Sequence, residues 1–151
     1  MAKELYTAEA TVTGGRTQGH GVTTDRALEV QLRTPVEMGG PGGGTNPEQL
    51  FAVGYAACFE GALGVVARRE RAEVGDVSID SRVHLVTTED RGFTVAVDLE
   101  VTLPQVTDPD QAVRLVAAAH EVCPYSNATR GNIDVNLTAN GRAVEVGAPV
   151  A

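Results

Sequence analysis

Apolar side chains recur along this chain with two periods, and the change from one to the other marks its elements. Tyr6, Ala8, Ala10 and Val12 alternate with more polar residues until Gly14-Gly15 breaks the run; Leu28, Val30 and Leu32 alternate again until Pro35. A period of two puts one side of an extended chain into a core, so both stretches predict half-buried strands. The second half repeats the pattern. Val77, Ile79, Ser81, Val83 and Leu85 alternate, as do Phe93, Val95, Val97, Leu99, Val101 and Leu103, with Glu89-Asp-Arg-Gly92 as a hairpin turn between them. Ile133, Val135 and Leu137 predict a last strand, and Gly141 to Ala151 one short further pairing and a loose tail.

Two segments switch to a helical period. From Asn46, which can cap, through Pro47 and Glu48, both suited to a first turn, Leu50, Val53, Gly54, Ala57, Gly61, Ala62 and Val65 recur at three- and four-residue spacing. The helix is predicted to run to about Arg71. Its small residues, Gly54, Ala56, Ala57, Gly61, Ala62 and Gly64, predict a buried central helix approached closely by another backbone. Asp108-Pro109 opens a second helix, with Val113, Val116, Ala117 and His120 along one side, and Cys123-Pro124 ends it. Hairpin-linked strands with helices between the groups give an α+β fold with mainly antiparallel pairing, as a single domain over residues 1–151.

Composition narrows the functions. With 12 Lys plus Arg against 20 Asp plus Glu the formal charge is −8, which disfavours a fold-wide surface for nucleic acid or for anionic membranes. No stretch of about 18 residues reads as apolar enough for a membrane span, and the first residues carry no apolar signal core, so a cytoplasmic setting is expected. Two Cys cannot build a four-thiolate zinc site or a disulfide scaffold.

The candidate chemistry therefore centres on those cysteines. Cys58, mid-helix, reads equally as a small buried hydrophobe, and Cys123 sits at a helix end where partial exposure is available. They are 65 positions apart, so no Cys-x-x-Cys pair exists, and spacing leaves open whether they meet. His20, His84 and His120 offer no metal-ligand spacing except His120 with Cys123, and no metal is expected; His120 reads as a helix-end residue on the dipole. The Gly39–Gly44 loop lacks the Gly-Lys-Ser/Thr ending of a phosphate loop and reads as a flexible connection or lid. Arg16 reads as a turn residue and Glu48 as a helix-start carboxylate.

Two stretches alter that picture together: Asn46-Pro-Glu-Gln-Leu-Phe-Ala-Val-Gly-Tyr-Ala-Ala-Cys58-Phe and Cys123-Pro-Tyr-Ser-Asn-Ala-Thr-Arg-Gly-Asn-Ile133. The pair resembles the organic hydroperoxide resistance (Ohr) proteins of the Ohr/OsmC superfamily, from about Tyr6 to Gly141. The resemblance implies an intertwined homodimer with sites at the subunit interface. It implies Cys58 as the peroxidatic cysteine, Cys123 as the resolving cysteine, Arg16 as the stabiliser of thiolate and peroxide, and Glu48 as the carboxylate orienting Arg16. It implies alkyl and fatty-acid hydroperoxides as substrates, no bound cofactor, and a dihydrolipoyl group on a lipoylated protein as reductant. Phe51, Phe59, Met38 and Phe93 are candidates for an apolar wall around the substrate. A broader OsmC-type peroxidase and a non-catalytic redox sensor are the alternative readings.

The implied chemistry is sound. The thiolate is the nucleophile, an adjacent guanidinium favours it, and a second thiol traps the sulfenic acid before over-oxidation. Glu48 and Cys58 are ten residues apart on one predicted helix, about 15 Å of rise, so Arg16–Glu48 is expected either to reach Cys58 of a partner subunit or to span that gap through Arg16.

Overall fold

The computed structural model describes residues 2–146, so the tail expected beyond them lies outside the described residues. The contacts resolve two compact units, Met1–Leu50 and Phe51–Ala151.

The first unit is an antiparallel meander of β1 (Ala10–Thr13), β2 (Gln18–Thr23) and β3 (Glu29–Arg33). The alternation at Tyr6 and Ala8 does not become strand; pairing starts at Ala10 with Thr23. Strand β2 had no sequence signal because glycine fills its inward positions, Gly19 and Gly21, leaving no apolar side chain to alternate. The β1–β2 turn needs its glycines. Gly14 has φ 74°, and a Cβ there would stand 2.6 Å from the Gln18 carbonyl oxygen. The segment from 34 to 45 is not an open connection: it folds into a 3-10 turn (Val36–Met38), closed by Gly40 N–H to Pro35 O (3.0 Å), Gly42 N–H to Thr34 O (3.1 Å) and Thr45 N–H to Gln31 O (2.9 Å).

Helix α1 (Pro47–Glu70) begins in the last residues of this unit and continues through the next. Its start is as the sequence predicts: the Asn46 side chain accepts the Gln49 N–H at 2.8 Å, and Pro47 needs no donor. Its end is a left-handed residue, Arg71 (φ 54°), beyond which the Ala72 N–H returns to Ala67 O.

In the second unit, β4 (Ser78–Thr87) and β5 (Phe93–Thr102) form the predicted hairpin. Helices α2 (Pro109–Val122) and α3 (Pro124–Thr129) then carry the chain across to β6 (Val135–Ala139), which lies parallel to β5, and β7 (Arg142–Val144) closes the sheet after an Asn140-Gly141 turn. A parallel neighbour needs such a crossover, which is why the sheet is mixed rather than wholly antiparallel. The core gathers Tyr55, Phe59, Leu63 and Val66 of α1, the inward side of β5 (Val97, Leu99, Val101) and Leu115, Val116 and Ala119 of α2. Each such large side chain contributes roughly 1.5–3 kcal/mol on burial.

Only one face of α1 is buried within the chain, so the expectation of a buried central helix holds on that face. Val53 is 72% exposed, and a Cβ at Gly61 would meet nothing within 4 Å. Contrary to the sequence expectation, α1 is long and apolar enough to cross a membrane by length and composition, with mean hydropathy 1.7 over 18 residues. A helix with one face in a core and another against a second protein surface has the same composition.

Candidate active site

Cys58 and Cys123 reach one another in the second unit. Cys58 lies half-buried on α1, and Cys123, fully buried, stands at the junction of α2 and α3, where it ends one helix and caps the next. Both are free thiols, and Cys123 lies close enough to Cys58 to bear on its ionisation. Short helix α3 begins with Pro124, and the next backbone N–H, that of Tyr125, lies near enough to the Cys58 sulfur to favour its charged form. That N–H belongs to the first turn of a helix, where no intrahelical carbonyl is available to it. Burial pushes the Cys58 thiol above its ordinary pKa; the Tyr125 N–H opposes this and the neighbouring Cys123 adds to it. Groups of this unit alone thus favour thiol over thiolate, and a nearby cation is what would make Cys58 a nucleophile at neutral pH.

The first unit holds a cation of fixed direction. The Gly14-Gly15 turn presents Arg16, whose Nη2 donates to Glu48 Oε2 at 2.7 Å, the carboxylate being the more buried partner. Glu48 sits in the first turn of α1, where the helix dipole favours a negative charge. The fork of Arg16 is thereby fixed in direction while part of it stays open to solvent.

The four apolar candidates separate. Phe51 belongs to an aromatic group beside the thiols: its ring lies 5.8 Å from Tyr55 and 5.8 Å from Tyr125, and those two tyrosines stack at 5.7 Å. Phe59 is a correction. It is wholly buried in the core, because one residue of helix turns its side chain about 100° from Cys58. Met38 is exposed on the 3-10 turn of the first unit, and Phe93 is exposed at the start of β5 with no ring partner among the described residues. The wall residue that sequence reasoning missed is Tyr125, 38% exposed directly beside Cys58. Gly54 makes room for it; a Cβ there would lie 3.2 Å from the Tyr125 hydroxyl.

His120 is a second correction. It does stand in the last turn of α2, but it is buried rather than only set on the dipole, with Nδ1 2.8 Å from Ser126 Oγ. Burial, followed by the charge of Arg130, lowers its pKa below the ordinary value, and Glu121 opposes them weakly. Among the described residues no three His, Cys, Asp or Glu side chains gather to hold a metal ion.

Comparison with known proteins places the chain in a family. The model of the OsmC-like protein family matches residues 40–138. An organic hydroperoxide resistance protein of Xanthomonas axonopodis pv. citri (strain 306) is 55% identical over 138 residues, covering 90% of this chain and 95% of its own length. The crystal structure of an organic hydroperoxide resistance protein from Legionella pneumophila superposes with a TM-score of 0.85 at 52% identity, covering 89% of this chain and 97% of that one. Organic hydroperoxide resistance protein OhrB of Bacillus subtilis gives 0.80 at 47% identity, covering 89% and 98%. By the family model it matches, by its sequence identity and by its fold, this chain belongs to the OsmC-like family, among the organic hydroperoxide resistance proteins.

Proposed function

We propose that the protein is a thiol peroxidase that reduces organic hydroperoxides to alcohols. The Cys58 thiolate attacks the peroxide oxygen distal to the alkyl group; the O–O bond breaks, the alkoxide leaves and takes a proton as alcohol, and Cys58 becomes a sulfenic acid. Cys123 then displaces that oxygen as water and closes a disulfide. A dihydrolipoyl group on a lipoylated protein reopens it by thiol–disulfide exchange, itself becoming the cyclic disulfide, so no bound cofactor is required.

The observation that carries this reading is the nearness of the two thiols, with the Tyr125 N–H close to Cys58. Arg16, held by Glu48, supplies the positive charge that lowers the Cys58 pKa and steadies the departing alkoxide. The apolar wall of Phe51 and Tyr125 favours an alkyl hydroperoxide over hydrogen peroxide.

The working form is a homodimer in the cytoplasm. The open face of α1 at Val53 and Gly61 and the exposed Leu5 and Tyr6 of the N-terminal segment are surfaces that a second copy would cover. The site is then completed at the subunit interface.

The deciding experiment is hydroperoxide consumption with dihydrolipoamide as reductant. Cys58→Ser abolishes turnover, and Cys123→Ser permits one oxidation and then over-oxidises. Full turnover by Cys58→Ser would sink the mechanism. A sensor would oxidise once without sustained turnover, and a broader OsmC-type enzyme would consume hydrogen peroxide as fast as cumene hydroperoxide.

A further inference from the structure

Behind the thiol pair runs a line of four buried polar side chains. His120 Nδ1 lies 2.8 Å from Ser126 Oγ, Ser126 Oγ 2.8 Å from the Tyr55 hydroxyl, and the Tyr55 hydroxyl 3.2 Å from Thr129 Oγ1. Thr129 Oγ1 donates to the Tyr125 carbonyl at 2.9 Å. That last bond sets the direction of the others. Its proton is the only one the Thr129 hydroxyl has, so Tyr55 donates to Thr129, Ser126 donates to Tyr55, and His120 donates from Nδ1 to Ser126. Each donor is used once and no hydroxyl is left over. The Nδ1–H tautomer of His120 is assigned from this count.

The line joins the three elements on which the thiols depend. Tyr55 stands one helical turn before Cys58 on α1, Ser126 one turn after Cys123 on α3, and His120 in the last turn of α2. Helix α3 has six residues, too few to hold its own shape, and its place comes from what it is tied to. The line ends on the carbonyl of Tyr125, the residue whose N–H lies near Cys58.

We infer that His120, Ser126, Tyr55 and Thr129 are positioning residues for closure of the Cys58–Cys123 disulfide, holding the α2–α3 junction at reacting distance from α1. The inference rests on the thiol chemistry proposed above. In the step concerned, the Cys123 sulfur bonds to the Cys58 sulfur, the S–O bond of the sulfenic acid breaks, and the oxygen leaves with the Cys123 proton as water. No oxidant beyond the hydroperoxide already consumed is needed. Loss of the line therefore slows closure while leaving the first oxidation of Cys58 nearly intact.

The test is rapid quench and mass spectrometry of Tyr55→Phe and His120→Leu after mixing with cumene hydroperoxide. First oxidation of Cys58 is expected within about threefold of wild type, with closure about tenfold slower or more, and Cys58 sulfinic acid accumulating. In a parallel arm without peroxide, the same variants are equilibrated in lipoamide and dihydrolipoamide mixtures, where the disulfide formation constant is expected to fall by a similar factor. His120→Asn, which keeps a donor near the Nδ1 position, restores most of both and serves also if Tyr55→Phe fails to fold. Closure unchanged in folded variants, or a loss shared equally by first oxidation and closure, overturns the inference. A wild-type protein inert toward hydroperoxides would defeat the peroxidase reading instead, and the equilibrium arm would still measure the positioning.

Discussion

The two compact units are built on different principles. The second, from Phe51 on, owns a core: Tyr55, Phe59, Leu63, Leu99, Leu103 and Leu115 are all essentially inaccessible. The first, through Leu50, has one buried hydrophobic side chain among its described residues, Leu32, and β1 is exposed along its whole length. The second places two sulfur atoms and orients an amide toward one of them; the first contributes a charge pair, Arg16–Glu48. Placing reactive atoms demands rigid packing, whereas presenting a cation demands only a directed side chain and access. A strand meander with so little core is also incomplete by itself, which supports the proposed coverage by a second copy.

The difference is broken most directly in the cores. Leu115→Ala is expected to lower stability by about 2–5 kcal/mol, because the cavity opens where α2 meets the inward side of β5. Val12→Ala, on the exposed β1, is expected to leave the melting temperature of a dilute sample unchanged and to lower it only at concentrations where the protein self-associates. Equal losses for the two at all concentrations would mean that the first unit has a core of its own.

Next in size is the charge. Arg16→Ala is expected to lower kcat/KM by about 100-fold, the effect of removing one donor aimed at developing negative charge, with little change in melting temperature. The sharper readout is the pH profile of Cys58 alkylation. Burial raises the Cys58 pKa, so a guanidinium acting on the sulfur brings the midpoint down and its removal sends the midpoint up. A midpoint unmoved by Arg16→Ala would separate Arg16 from the thiol and leave the raised value as the true one.

The two units also differ in how openly the sequence wrote them. Strands β4 and β5 were legible because their inward positions, Ser81 apart, carry branched or large apolar side chains, and α1 because Asn46, Pro47 and Glu48 mark its start unambiguously. Strand β2 was illegible because its inward residues are glycines, and pattern reading needs side chains. Helix α3 is hidden because Pro124 reads as the stop of α2, while the same ring also suits the first position of a new helix. With α3 missing, Tyr125, Ser126 and Thr129 had no place, and His120 could only be read against its own helix. Cys58, Cys123, Arg16 and Glu48 were found through resemblance; spacing left open whether the thiols met. Phe59 shows the limit of proximity in sequence, since its neighbour Cys58 faces elsewhere.

Capping gives a third, smaller comparison. Asp108 caps α2 by accepting the Asp110 N–H at 3.0 Å, as Asn46 caps α1. Loss of either side chain by mutation to Ala is expected to lower stability by about 1 kcal/mol. Only Asn46→Ala is expected to lower kcat/KM as well, because Glu48 lies within the same first turn and directs Arg16. If Asp108→Ala lowered activity equally, the carboxylate's role in aiming Arg16 would lose its support.

The smallest effect is the proton on His120, and its sign is fixed. The folded pKa lies below the ordinary 6.5, so the unfolded chain takes up a proton first as the pH falls. The stability that the neutral ring contributes is complete above that value and is lost progressively below it, down to the folded pKa. Carboxylates held low by their partners, such as Asp98 beside Asn136 and His84, act in a separate window, because their ordinary value is 3.8 and their contribution is lost only below it. Thermal scans from pH 7.5 to 5 should therefore show a melting temperature falling by on the order of 2–4 °C in wild type, and a flatter curve in His120→Asn. A slope of the same steepness in both proteins would place the titrating group outside the buried line. A flat wild-type curve would mean that His120 binds protons equally in the folded and unfolded states, so that the neutral ring contributes nothing to stability in this range.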